Sequence, residues 1–266
     1  MLFSSSVLIY ASFMSEVFTS SRLKVERAKQ HISDLHARVL EFQASDFYTL
    51  SIENDAETGD DFIHFRETKT LPADIALVVG DALHNLKGAL DIMINAIVFT
   101  KLGRYDDFTR FPFRKTRDEL VTAIKGGLIH QSSKAVADFI VDSIKSYKGG
   151  NDALWALHEL NILDKHRLLL PVLRMKALRD VRIEDDRGQP VPVGTLYFSG
   201  DRISFIPERI GHRNIKVTNY GKPSLFVLFD KGLPLQGEAI IPSLRRLTEV
   251  VTGIIEDIEK VFLAEV

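Results

Sequence analysis

Leu154–Leu170, LWALHELNILDKHRLLL, decides the reading of this chain. At helical spacing its Leu, Ile, Ala and Trp residues go nearly all the way round, and a helix apolar on every side is a buried one. Yet the run also carries His158, Glu159, Asn161, Asp164, Lys165, His166 and Arg167. A buried charge is costly unless it is paired. Such charges therefore pair, face a cleft or do chemistry. Asn151 or Asp152 caps this helix and Pro171 terminates it. His158, Asn161 and Lys165 form one polar stripe on it, and Glu159 and His166 a second.

Toward the N-terminus a second long apolar helix is predicted from Pro72 to about Thr100, with Gly103 ending it. On a wheel, Asp81, His84, Asn85, Gly88, Asp91 and Asn95 share one side of this helix, and Lys87 stands apart. Gly80 and Gly88 each weaken a helix by roughly 1 kcal/mol relative to Ala, and such glycines often mark a close approach by another backbone or a ligand. The two helices are expected to pack with their polar stripes facing. Asp81, His84, Asn85, Asp91, His158, Asn161 and Lys165 would then share one pocket. The structural alternative, a satisfied ion-pair network that fixes helix register, comes ahead of catalysis, because such networks also gather charge without function.

The remaining segments frame these two. Ser20 or Ser21 is expected to cap a helix running to about Ala44, with Ala28, Ile32, Leu35, Val39 and Phe42 on one stripe. Phe47–Ile52 and Phe62–Glu67 read as a hairpin around the polar loop Asn54–Asp61. Thr116 opens a capping box with Glu119 for a helix through Ile124. Ser132 or Ser133 starts another, running to Tyr147. Beyond Pro171 the texture changes to short alternating runs: Val181–Ile183, Thr195–Phe198, Ile203–Ile206, Ile215–Thr218 and Leu225–Phe229. Ser243 opens a last helix with Leu244, Leu247, Val251, Ile254, Ile258 and Val261 on one stripe.

The predicted fold is α+β: a helical bundle with an inserted β-hairpin and a small C-terminal antiparallel sheet, closed by a C-terminal helix that packs back on the bundle. The boundaries are a loose extension over 1–19, the bundle with its hairpin over 20–171, a small β region over 172–240 and the final helix over 241–266. Val7–Phe13 is too short to span a bilayer and no Lys or Arg precedes it. Residues 1–13 read as an upstream extension or loose tail before Met14.

Composition excludes several classes. With 266 residues, 45% of them hydrophobic, the chain can bury a full core. The absence of Cys removes disulfides, thiolate nucleophiles and Cys-based zinc sites and fits a reducing cytosol, so a cytoplasmic location with no membrane partner is expected. A net charge of −2 gives no global attraction to nucleic acid, so polyanion binding needs a local patch. Arg114, Lys115 and Arg117 form one basic cluster, and Arg209, His212, Arg213 and Lys216 another; each reads first as an exposed loop. His158-Glu159-Leu160-Asn161-Ile162 nearly spells HExxH, but Ile162 cannot bind zinc. No metal ligand set or cofactor is assigned, and no Walker loop, GxSxG elbow or dinucleotide fingerprint is present.

The runs VVGDALHNLKGALDIMINAIV and LWALHELNILDKHRLLLPV resemble the two signature segments of a widespread family of uncharacterised bacterial and phage proteins. Members show a GD-x-LHNLRSALDH-like helix, a short FP element and an LNxIDKHR-like helix. Here those are Gly80–Ile92, Phe111-Pro112 and Leu160–Arg167. The first helix is also similar in type to HEPN domains, helical modules whose ribonuclease members use Arg-x-x-x-x-His, often from two subunits. The corresponding positions are Lys87 and Ile92. Lys can neutralise a phosphate without the planar fork of Arg, and Ile cannot move a proton.

Three functions stay open on this basis. The first is a binding or assembly module with a buried polar pocket. The second is a HEPN-like ribonuclease of a defence or toxin system. In it, His84 and His158 are the acid–base candidates, Lys165 and Arg167 stabilise phosphate charge, and Asp81 and Asp91 orient the histidines. The third is a metal-dependent hydrolase using the carboxylates. Asp81, Asn85, Lys87, Asp91, Asn161, Asp164 and His166 are the binding candidates. RNA or another phosphate-containing ligand and a homodimer stay open as partners.

Overall fold

The computed structural model describes residues 17–54, 61–169, 171–191, 195–197, 202–205, 216–219 and 221–265. The tail expected over 1–13 and the basic residues Arg209, His212 and Arg213 lie outside them. In chain order the described elements are α1 (Thr19–Gln43), β1 (Tyr48–Asn54), β2 (Asp61–Glu67), α2 (Ala73–Leu102), α3 (Arg117–Lys125), α4 (Leu128–Ser132), α5 (Lys134–Phe139) and α6 (Asp152–His166). There follow β3 (Val172–Arg179), β4 (Arg182–Glu184), β5 (Pro190–Val191), β6 (Leu196–Tyr197), β7 (Arg202–Phe205), β8 (Lys216–Asn219), β9 (Lys222–Leu228) and α7 (Ile240–Ala264). The fold is therefore the mixed one predicted: helices, small antiparallel sheets and a closing C-terminal helix.

Helix α1 buries Val25, Ala28, Ile32, Leu35, Val39 and Phe42, the stripe that the three-and-four spacing predicts. It lies along α2, its most extensive partner. Neither Ser20 nor Ser21 caps α1; the N-cap is Phe18, without a side-chain bond, and Ser21 is buried in the core. Helix α2 starts after Pro72 and ends at Gly103, whose φ of 66° closes the last turn with an N–H donated to Phe99 O at 2.8 Å. Its buried residues are mostly Ala, Val, Leu, Ile and Met, so it forms the axis of the core.

The capping predictions for the shorter helices hold in outline. Thr116 Oγ1 accepts from Glu119 N, but the Glu119 carboxylate reaches back to Lys115 N, one residue earlier than a regular capping box. Asn151 Oδ1 accepts from Leu154 N at 3.0 Å. The single helix expected from Ser132 or Ser133 to Tyr147 is instead α5, capped by Ser133, followed by a π-turn over Ile140–Ile144. The preceding α4 has no counterpart among the predicted helices.

The β region differs from the expected single sheet. Among the described residues three three-stranded sheets form, ordered β1-β2-β7, β6-β3-β9 and β5-β4-β8. β7 pairs with β2, so the hairpin is tied to the C-terminal half of the chain. β3 runs antiparallel to β9 from Val172↔Leu228 to Arg179↔Lys222 and places β9 against the helices. Val227 and Phe229 enter the main core, while Leu225 joins Phe42 and Phe47 in a smaller cluster.

Helix α7 covers α1 and α2 with Leu244, Leu247, Val251, Ile254, Ile258 and Phe262. Its end is fastened by Phe18 against Phe262, 6.1 Å between ring centroids, and by an Arg22–Glu259 ion pair. No described helix is long and apolar enough to cross a membrane.

Candidate functional site

The two helices singled out by sequence do pack together, but along a narrower seam than the wheel suggests. A Cβ placed on Gly80 would sit 2.4 Å from an Asp164 carboxylate oxygen, so α6 touches the α2 backbone there. Further along α2, Lys87 and Asp91 share a cleft with His158, Asn161 and Lys165 of α6. As α2 advances, α6 is met from its C-terminal end backward, so the two run in opposite directions.

Lys87 is the centre of this cleft. Its Nζ donates to Asp91 Oδ1 at 2.5 Å and lies 5.2 Å from the centroid of the Phe113 ring. It is only 9% exposed. Burial lowers its pKa below the ordinary lysine value, with Asp91 pulling the other way and Lys165 and Arg110 adding to the drop. Asp91 Oδ1 also accepts the Phe111 N–H at 3.0 Å, which fixes the Phe111-Pro112-Phe113 turn to α2. Phe113 then stacks flat on His158, centroids 4.2 Å apart and planes within 4°. Trp155, one turn earlier on α6, leans on the same imidazole at 5.2 Å.

These neighbours set the state of His158. Burial and the Lys87 ammonium push its imidazole down to about 4, Lys165 and Arg114 push the same way, and Asp91 opposes them. His158 is therefore neutral at physiological pH. Its Nδ1 is buried with no hydrogen-bond partner among the described residues.

The cleft has a volume of about 460 Å³. Its charged walls are Lys87, Arg110, Arg114 and Lys165 against Asp91 and Asp106. Arg110, Arg114 and Lys165 are exposed and make no ion pair with a described residue, although Arg114 Nη1 is held by Phe113 O at 2.7 Å. Asp106 is occupied by its own loop: it accepts from Thr109 Oγ1 and Phe108 N, and the Thr109 hydroxyl leads in holding its carboxyl below the usual range. The cleft is thus locally cationic on a chain of slight negative charge.

The other expected members lie elsewhere. Asp81 and His84 are exposed beside Asp164, at the Gly80 end of the crossing. Burial first, and then the Asp81 charge, raises the Asp164 carboxyl, while His84 lowers it. Asn85 is buried but turned to α1: it accepts from Lys24 Nζ at 3.2 Å and donates to Asp81 O at 2.8 Å. His166 and Arg167 are exposed and do not line the cleft. The single pocket expected for Asp81, His84 and Asn85 together with His158 therefore does not form. Lys87, set apart on the wheel, belongs in the cleft. Gly88 marks no close approach either, since nothing lies within 4 Å of a Cβ placed there. Helix α6 is not buried on all sides: Ile162 is 42% exposed.

Sequence reasoning missed Arg110, Phe113, Trp155 and Ile162 as parts of the cleft region. The Phe-Pro-Phe triplet in an otherwise polar loop was the available signal. Among the described residues, no three His, Asp or Glu side chains are grouped to hold a metal ion. No family model matches the chain, and no curated protein or solved structure is significantly similar to it.

Proposed function

We propose that the chain is a binding module whose cleft between α2, α6 and the Phe111–Phe113 turn takes a phosphate-type anion. One observation carries this reading: Lys87, Arg110, Arg114 and Lys165 converge on one cleft with two carboxylates, each of which is already engaged. Lys87 is partly desolvated there, so an anion would meet a charge that water screens poorly. Arg110 and Lys165 are free to close on the ligand as it enters, and Arg114 is aligned by the Phe113 carbonyl. The three segments that carry the family resemblance meet at this cleft, which agrees with a HEPN-like module that has kept a phosphate-facing cation at position 87. A cytoplasmic location and a homodimer are parts of the same proposal.

Calorimetric titration with pyrophosphate at low salt tests it. The expected result is saturable binding that weakens with added salt, and about tenfold or more when Arg110→Ala and Lys165→Ala are combined. Lys29→Ala, a control on the exposed face of α1, leaves binding unchanged. No binding, or equal binding by the double variant, contradicts the proposal.

A ribonuclease is the second reading, favoured by His158 and Lys87 sharing one wall. It needs a second proton-transfer group, because His84 belongs to the other end of the seam and His158, a neutral imidazole at pH 7, can serve as the base but not as the imidazolium acid. Cleavage of total RNA that is lost in His158→Ala and kept in His84→Ala would establish it.

A further inference from the structure

A second cleft of about 790 Å³ adjoins the cationic one. The two share Phe113, Arg114, His158 and Ile162 as a common ridge. Beyond the ridge the walls are mainly apolar: Trp155, Leu163 and Pro234, with Glu119, Glu159 and Lys115 also lining the cleft. The ridge is rigid. Phe113 is 7% exposed and held between the Lys87 ammonium and the stacked imidazole of His158. Ile162 crowns it, exposed although it lies on a helix whose other aliphatic side chains turn mostly inward.

Resting on the anion reading above, we infer that the ligand joins an anionic group to a flat aromatic one. The anion sits among Lys87, Arg110 and Lys165, and the ring crosses Ile162 to lie in the Trp155 cleft. Arg114, common to both clefts, serves both parts: its guanidinium can bond the anion on one edge and stack on the ring with its face. The geometry favours a ring over a flexible alkyl chain. Phe113 and His158 are stacked and Trp155 tilts against His158 at 51°, so the cleft offers a contiguous aromatic wall, and offset stacking on it needs a planar partner. Covering Ile162 adds apolar burial that a bare phosphate cannot provide.

Trp155 is the only tryptophan in the chain, so its fluorescence reports on this cleft alone. The test compares inorganic phosphate, cyclohexyl phosphate and phenyl phosphate by calorimetry and by Trp155 emission. Phenyl phosphate is expected to bind about tenfold more tightly than inorganic phosphate, and clearly more tightly than cyclohexyl phosphate. It alone should alter the emission strongly. Trp155→Leu should remove that advantage and leave inorganic phosphate unaffected. Ile162→Ser, at an exposed position that cannot unfold the core, should reduce it in the same sense. Phenyl phosphate binding no better than inorganic phosphate, with unchanged emission, overturns the aromatic subsite while the anion site stands. No binding of any of the three overturns both.

Discussion

At the scale of single residues, two groups on the α6 side of the α2–α6 seam have shifted pKa values, His158 in the cleft and Asp164 at the Gly80 end. His158 has a folded-state pKa of about 4 against an ordinary 6.5. As pH falls, the unfolded chain takes up this proton first. The contribution of His158 to stability is therefore complete above about 6.5 and drains away between there and 4. Asp164, raised above the usual carboxylate value, acts in the opposite sense: its contribution is present at low pH and is lost as pH rises through its folded value. His158→Gln should flatten the fall in stability between pH 6.5 and 4, as measured by urea unfolding across that range; an unchanged slope would mean that His158 is freely solvated. Lys87 and Asp91 form a pair whose side chains are 11% and 26% exposed. Asp91→Asn should cost about 1–3 kcal/mol, between the values for exposed and fully buried pairs. Adding Lys87→Met, which keeps the stem and drops the charge, should recover part of that loss. A double-mutant cycle in denaturant measures the coupling.

At the scale of elements, Gly80 and Gly88 separate two explanations that the sequence could not. Gly88→Ala meets nothing and should stabilise α2 by about 0.5–1 kcal/mol through helix propensity. Gly80→Ala meets the Asp164 carboxylate, the movable end of a short side chain, and should lose part or all of that propensity gain. The same change made on an Asp164→Ala background should be neutral or stabilising. Thermal unfolding of the four variants checks both statements; a loss on Gly88→Ala would contradict them. The periodic helices were legible in outline because a long stripe of Val, Ile and Leu leaves one burial solution, as in α1 and α7. β3 was not legible: VLRMKALR is rich in helix formers, and its antiparallel pairing with β9 on one side and β6 on the other makes it a strand. The site was half legible. A wheel gives the direction of a side chain but not its neighbour, so it grouped Asn85 with a pocket when Lys24 of α1 claims it. It also left out Lys87, which pairs with Asp91 on its own helix but is covered by the Phe113 ring, 26 residues downstream.

At the scale of the whole molecule, the closing helix ties the bundle together. Glu265, just past α7, accepts from Ala135 N at 2.8 Å and from Ser133 Oγ at the start of α5. Glu265→Ala removes an anion from a helix N-terminus and should cost about 1 kcal/mol, read as a lower Tm, with pyrophosphate affinity unchanged. That separation matters, because the cleft lies at the α2–α6 seam and not at this junction. The central claim is that His158 stands in a desolvated, cationic cleft able to receive an anion. The most direct check is an NMR pH titration of the His158 imidazole, with and without saturating pyrophosphate. The claim predicts a midpoint of about 4 in the free protein that moves upward when the anion binds, as added negative charge favours the imidazolium. A midpoint near 6.5 that pyrophosphate does not move would contradict it.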